Sequence, residues 1–167
     1  LELRDPQGHW RPLTPWLKEI SGALPLPDGS GVAYSVAEDA MRQRNWLVRV
    51  GMASTWSSST PPPQPDIQKP QSLPTGTALY SHFSGSRDGD LLIQGDRVAG
   101  SGPIRSSRPF LTLIRSDGST LHLDIAAAGP VTLLPGGDGL VIPEGDGLAL
   151  QTLPPMRSRR QFLPGRR

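Results

Sequence analysis

The clearest pattern of apolar and polar positions in this chain predicts a strand over residues 45–52. Every second position there is apolar, namely Trp46, Val48, Val50 and Met52. A period of two places these side chains on one face of a strand, so we expect that face to be buried. After Trp56 the chain enters residues 57–65, whose prolines lack backbone donors and favour an extended conformation. The segment 57–76 is therefore predicted to be a proline-rich linker or arm.

A short helix is expected immediately before this strand. Ser35 and Glu38 have the spacing of a capping box, in which the serine accepts a hydrogen bond from the third helical N–H and the glutamate reaches back to the cap. The helix would run from Val36 to about Arg44, with its apolar residues on one side and its charged residues on the other. Together, helix and strand predict a helix–strand unit over residues 35–56.

The first 34 residues are predicted to form an N-terminal extended arm, residues 1–34. Prolines interrupt its apolar residues every few positions, which limits regular structure to one helical turn over residues 15–20. Trp10 and Trp16 are its largest apolar side chains. If the arm lies over its own core it is a clasp, and if it lies over a neighbouring chain it is an assembly contact.

Seven short apolar or alternating runs, separated by glycine and proline turns, predict a β domain over residues 77–153. The runs are residues 77–83, 90–94, 110–115, 120–125, 131–134, 139–142 and 147–153. Asp117-Gly118 between two alternating runs predicts a hairpin. Residues 135–142 are repeated at 143–150, which indicates turn, strand, turn, strand; the spacing is not that of calcium-binding β-rolls.

Composition supports a fold rich in turns. The chain has 19 glycines and 19 prolines among 167 residues, well above ordinary usage. The predicted fold class is mainly β: a short-stranded antiparallel β domain, sandwich or barrel-like, with one short helix and long proline-rich arms. The absence of cysteine excludes disulfides, thiolate metal ligands and cysteine nucleophiles. No apolar run approaches the ~18 residues of a membrane helix, so no membrane partner is expected.

Positive charge is concentrated in a basic C-terminal tail, residues 154–167. Five arginines lie there without any acid: Arg157, Arg159, Arg160, Arg166 and Arg167. Because the whole chain carries a net charge of only +2, the residues before the tail are net acidic. Such a tail predicts contact with an acidic neighbouring subunit or with nucleic acid.

The sequence carries no recognisable catalytic motif. The three histidines, His9, His82 and His122, share no spacing. Residues 82–90 gather histidine, serine and aspartate, but a glycine-rich turn does not make such groups converge around an oxyanion hole. Paired carboxylates lie in glycine-rich turns: Asp88 with Asp90, and Asp138 with Asp146. We therefore expect no enzymatic activity, no cofactor and no metal.

One stretch resembles a known family. Residues 45–51, Asn-Trp-Leu-Val-Arg-Val-Gly, are followed by Trp56 and by Thr-Pro-Pro-Pro-Gln-Pro at residues 60–65. This succession is similar to a segment of the tail and baseplate structural proteins of tailed bacteriophages. The resemblance implies a virion component of a tail, neck or baseplate, whose proline-rich arms clamp neighbouring subunits.

We therefore expect a non-enzymatic structural subunit of a multi-subunit assembly in a virion, with the other subunits of that assembly as partners. The expected contact residues are Trp10, Trp16, Trp56, Pro61, Pro62, Pro63 and the five arginines of the tail. Two alternatives stay open. One is a free-standing β-rich binding module, pilin-like or carbohydrate-binding, that uses Trp56 and Tyr80. The other is a hydrolase that uses His82 or His122 with an aspartate.

Overall fold

The computed structural model describes residues 1–4, 8–14, 19–39, 42–51, 66–99 and 106–153. In chain order the strands are β1 (Glu2–Arg4), β2 (Trp10–Pro12), β3 (Ile20–Pro25), β4 (Gly31–Asp39), β5 (Arg42–Gly51), β6 (Asp66–Ile67), β7 (Gln71–Gly85), β8 (Leu91–Ala99), β9 (Ser106–Ile114), β10 (Thr120–Leu123), β11 (Thr132–Leu133), β12 (Gly139–Glu144) and β13 (Gly147–Thr152). No helix occurs in these described ranges, and the mainly β fold class is confirmed.

The strands form three antiparallel sheets. The main sheet has eight strands in the order β10-β9-β8-β7-β5-β4-β3, with β6 paired to β5 beside this path. The small sheet has three strands in the order β11-β12-β13, and β1 pairs with β2 alone. Most neighbours in the sheets are also neighbours along the chain, because short turns connect antiparallel strands.

The strands predicted from the sequence after residue 77 are present as β7 to β13, with shifted boundaries. The predicted hairpin is formed by β9 and β10, and Gly118 in its turn has a φ of 84°, a left-handed conformation that glycine adopts without strain. The repeat over residues 135–150 forms the paired strands β12 and β13. The strand predicted over residues 45–52 is β5.

β7 joins the two halves of the main sheet. Residues 71–78 of this strand pair with β5, and residues 78–85 pair with β8. Ala78 pairs on both sides, with Gln43 and with Arg97. The register shifts along both pairings, and such irregularities let a strand bend and change its twist.

One face of the main sheet encloses an inner cluster of apolar side chains. Its buried members are Leu26, Ala33, Leu47, Leu73, Phe83, Leu91, Ile93 and Ile114. The main sheet curves around this cluster, because the segment after β3 contacts β7, although β3 and β7 are not neighbouring strands in the sheet. A Cβ added at Gly85 would lie 2.6 Å from Pro27 Cδ. Glycine is therefore needed where these two segments touch.

The opposite face of β8 and β9 is covered by the small sheet. The buried residues there form a covering cluster: Leu92, Leu111, Leu113, Val131, Leu133, Leu140, Ile142 and Leu153. Leu92 lies between Leu91 and Ile93 of the inner cluster, and successive side chains of a strand point to opposite faces. Both faces of β8 are thus buried.

A third cluster lies on the other face of β4 and β5. Leu13, which follows β2, packs there with Tyr34, Val48 and Val50. The face of β5 predicted to be buried is therefore buried, with Val48 0% exposed. Leu47 faces the inner cluster, so β5 is covered on both sides.

The predicted helix over residues 36–44 is wrong, because its described residues lie in β4 and β5. Ser35 does not cap a helix; its Oγ donates to Asn45 Oδ1 at 2.8 Å across the two strands. Side chains of β4 alternate, with Tyr34 in the third cluster and Ala33 in the inner cluster. Pairing with β5 and burial on two faces outweigh the local capping pattern.

Both predicted arms contain strands. Within residues 1–34 lie β1, β2, β3 and the start of β4, and Leu13 is buried. Within residues 57–76, β6 begins at Asp66 and β7 begins at Gln71. Residue 20, at the end of the predicted helical turn, instead begins β3. Residues 15–18 of that turn lie outside the described residues, as do residues 57–65 and the basic tail.

Candidate assembly interface

The small sheet is fixed to the main sheet by side-chain hydrogen bonds. Gln94 accepts at Oε1 from the N–H of Val131 at 2.6 Å and donates from Nε2 to the carbonyl of Gly129 at 3.0 Å. Ser84 Oγ accepts from the N–H of Leu133 at 2.9 Å. These bonds satisfy backbone groups next to β11 and set its position over β7 and β8.

A mostly buried ion pair secures the turn before β12. Arg115 Nη1 donates to Asp90 Oδ2 at 2.7 Å and to the carbonyl of Gly137 at 2.7 Å. The other carboxylate oxygen of Asp90 accepts from the N–H of Ser116 at 2.9 Å. The two charged side chains are only 11% and 8% exposed. Arg115, oriented by Asp90, thus ties a turn of the main sheet to the small sheet.

β13 is the outer strand of the small sheet and exposes two leucines. Leu148 is 75% exposed and Leu150 is 71% exposed, whereas Ala149 between them packs against the covering cluster. In the register with β12, Leu148 lies opposite Pro143 and Leu150 lies opposite Val141. The outer face of β12 and β13 is therefore apolar.

Within the described residues, the edge of β13 carries none of the side-chain and register features that protect free strand edges. It has six residues with no charge and no proline, and its pairing with β12 has no register shift. Charged residues, prolines, bulges and shortness are the usual protections. Among the other edge strands of the described chain, five have only two to four residues each: β1, β2, β6, β10 and β11. The remaining one, β3, has a register shift and ends in Pro25. β13 is the edge most ready to pair with another strand.

Of the contact residues predicted from the sequence, Trp10 is described. Its side chain is 63% exposed, and the Arg4 guanidinium lies over the ring, 5.9 Å from the centroid. The others lie outside the described residues: Trp16, Trp56, Pro61, Pro62, Pro63, Arg157, Arg159, Arg160, Arg166 and Arg167. Their part in partner contact stays a prediction.

Of the two histidines of the hydrolase alternative, His82 is exposed at a cleft and His122 lies beside a threonine. His122 Nδ1 lies 3.1 Å from Thr112 Oγ1, and Asp90 is paired with Arg115. Neither pairing is that of an orienting carboxylate with a catalytic imidazole. Across the described ranges, no group of three or more metal-ligating side chains is close enough to hold a metal ion.

Two shallow clefts lie beside the segment that links β10 to β11. One, of about 160 Å³, is lined by Tyr80, His82, Gln94 and residues 127–130. The other, of about 270 Å³, is lined by residues of β8, β9 and β10 and of the linking segment. Tyr80 is 50% exposed at the first cleft. Both volumes are below the range of about 300–1,000 Å³ that is typical of small-molecule sites.

Comparison of the chain with protein-family models, with curated proteins and with solved structures found no match. None of the described segments is a helix with the length and apolarity that a membrane crossing requires.

Proposed function

We propose that this chain is a non-enzymatic structural subunit of a multi-subunit assembly, and that β13 pairs with a strand of a neighbouring subunit. The observation that carries this proposal is the unprotected edge of β13 with its exposed Leu148 and Leu150. Strand addition to a sheet edge gains main-chain hydrogen bonds, and the side chains on alternate positions give specificity. The apolar outer face of β12 and β13 would be covered in the same contact.

The finer architecture that we infer for this subunit is sandwich-like. In support, Leu92 and Leu113 of the main sheet share the covering cluster with Leu140 and Ile142 of the small sheet. Interdigitation of side chains from two sheets is the packing mode of a sandwich. A layer held in this way gives β13 a firm support.

The setting that we propose is a bacteriophage virion, in a tail, neck or baseplate. The resemblance of residues 45–65 to tail and baseplate proteins supports this setting. Trp10, exposed beside Arg4, and the tryptophan, proline and arginine positions outside the described residues would supply further contacts. The basic tail would meet an acidic subunit or nucleic acid.

The mass of the protein in its native source tests the proposal. Size exclusion with light scattering should find the chain in a particle many times heavier than its own 17.9 kDa. A free 17.9 kDa chain in the native source would overturn it.

Substitution on β13 tests the interface itself. Leu150→Lys places a charge on the edge, which is how proteins prevent edge pairing, and should lower incorporation into the native particle. Leu121→Lys is the matched control, since Leu121 is a partly exposed leucine on the edge strand β10. Equal incorporation of both variants would argue against β13 as the joint.

A β-rich binding module is the second candidate, favoured by the exposed ring of Tyr80 at a cleft. Aromatic rings with one polar end are common at binding surfaces. A screen of soluble oligosaccharides by NMR would support this candidate if resonances of residues 80–82 and 127–130 shifted and if Tyr80→Ala abolished the shifts. The small volume of the cleft favours the assembly subunit.

A further inference from the structure

Two arginines lie directly opposite each other on neighbouring strands of the main sheet. Arg97 of β8 is the register partner of Arg108 of β9, and both side chains are exposed. Residues paired in this way point to the same face, with Cβ atoms roughly 5 Å apart. Like charges in this position repel each other and destabilise the sheet.

Arg97 is held in place by neutral groups. Its Nε donates to the carbonyl of Thr75 at 3.2 Å, and its guanidinium lies over the ring of Phe110, 5.5 Å from the centroid. A guanidinium has five N–H donors, so the outer nitrogens are left to face a ligand. The group is therefore oriented before any partner arrives.

No acid of the chain neutralises this pair in the part that the structure describes. Three ion pairs of the described residues use other arginines: Arg42 with Asp39, Arg44 with Glu38 and Arg115 with Asp90. Asp96 precedes Arg97, and successive side chains of a strand point to opposite faces. Within the described residues, neither Arg97 nor Arg108 is therefore paired with an acid.

We propose that Arg97 and Arg108 form a binding site for a carboxylate of a neighbouring subunit. Guanidinium groups bind carboxylates with paired, charge-assisted hydrogen bonds, and one carboxylate between the two arginines would remove their mutual repulsion. Nucleic acid fits less well, because binding to it uses a longer basic stripe with several phosphate contacts. The inference rests on the proposed assembly function and adds a polar contact to it.

The experiment measures two properties of Arg97→Gln, Arg108→Gln and the double variant. Urea unfolding of the isolated chain should show an unchanged or higher midpoint for Arg108→Gln, because this substitution relieves the repulsion and leaves the Thr75 and Phe110 contacts of Arg97 in place. Incorporation into the native particle should fall about tenfold, the effect of losing one charge-assisted contact of ordinary strength. Arg87→Gln is the control, since Arg87 is an exposed arginine in a turn.

Two further arms decide the nature of the contact. Arg108→Lys keeps the charge but loses the paired geometry, so its incorporation should lie between wild type and Arg108→Gln. Nuclease treatment should leave the wild-type chain bound in the particle. Release of the chain by nuclease would show that nucleic acid holds it, and would overturn the carboxylate assignment.

The remaining outcomes separate this site from the assembly function. A lowered unfolding midpoint for Arg108→Gln would assign Arg108 a structural role and overturn the site. Normal incorporation of the double variant, with Leu150→Lys still excluded, would overturn the site and leave the β13 interface standing. A free chain in the native source would overturn both.

Discussion

Arg115 Nη1 lies 2.7 Å from Asp90 Oδ2 and also 2.7 Å from the carbonyl of Gly137, so one nitrogen connects the main sheet to the turn between β11 and β12 of the small sheet. Neither side chain of the pair is more than 11% exposed. The pair is one of the contacts that hold the small sheet, and with it the edge strand β13, on the main sheet.

Loss of this connection should destabilise the protein strongly. Arg115→Ala leaves the Asp90 carboxylate mostly buried without its cation, and breaking such pairs costs about 3 kcal/mol or more of unfolding free energy. Urea unfolding measures the loss. Arg42→Ala is the matched control, because the Arg42–Asp39 pair is 49% and 38% exposed and should contribute less than about 1 kcal/mol. Equal losses for both variants would contradict the interpretation.

A buried polar chain across three strands gives a second prediction. Ser35 Oγ donates to Asn45 Oδ1 at 2.8 Å, and Asn45 Nδ2 donates to Thr75 Oγ1 at 2.9 Å. All three residues are at most 1% exposed. Asn45→Ala leaves both hydroxyls without their partner and should cost about 1–3 kcal/mol in chemical denaturation. Ser21→Ala, which removes an exposed bond to Gln43, should change stability by less than about 0.5 kcal/mol.

The contact between Pro27 and Gly85 gives a third prediction. A Cβ at Gly85 would lie 2.6 Å from Pro27 Cδ, and the proline ring cannot turn aside as a flexible side chain can. Gly85→Ala should therefore lower the free energy of unfolding by about 1–3 kcal/mol. At Gly22 a Cβ meets nothing within 4 Å, so Gly22→Ala should be close to neutral. Thermal unfolding compares the two variants. If Gly85→Ala is tolerated, the segment after β3 can move away from β7.

Tyr34 predicts a loss of stability at alkaline pH. Burial raises the pKa of the Tyr34 phenol above its ordinary value of 10.0, so the folded chain keeps a proton that the unfolded chain loses. This contribution to stability is fully present below pH 10.0 and is lost as the pH rises towards the folded pKa. Tyr34→Phe should remove it, so the stability difference between wild type and variant should change between pH 8 and pH 11. A stability difference that stays constant over this pH range would contradict the assignment to Tyr34.

Local chemistry explains the elements that the sequence predicts correctly. The hairpin around Gly118 needs only a turn that accepts a left-handed residue and two alternating runs, and all three are visible in the sequence. The Trp46 strand is recognisable for the same reason. Where short-range pattern and long-range pairing agree, sequence reasoning is sufficient.

Long-range strand pairing explains the elements that are not predicted correctly from the sequence. The Ser35 and Glu38 spacing is a valid local signal for a helix, but Ser35 is used by Asn45 on the next strand. The start of β7 is polar and contains Pro74, and only its place beside β5 buries Leu73 and Thr75. Neither fact can be read from the residues themselves.

The sequence predicts only part of the candidate interface. The lack of charge in Gly147–Thr152 is visible in the sequence, yet a free edge is a property of strand order, which the sequence does not state. Likewise, Arg97 and Arg108 become neighbours only through the register of β8 and β9. Both sites are products of the topology.

The position of β7 between the two halves of the main sheet determines how the sheet can open. Because Ala78 pairs with Gln43 on one side and with Arg97 on the other, neither half of the main sheet can detach without breaking bonds of this strand. Hydrogen exchange at its central amides would then report global rather than local opening, and these amides should be among the last to exchange. After a protease cuts the native chain at its exposed turns, the fragments should therefore stay associated.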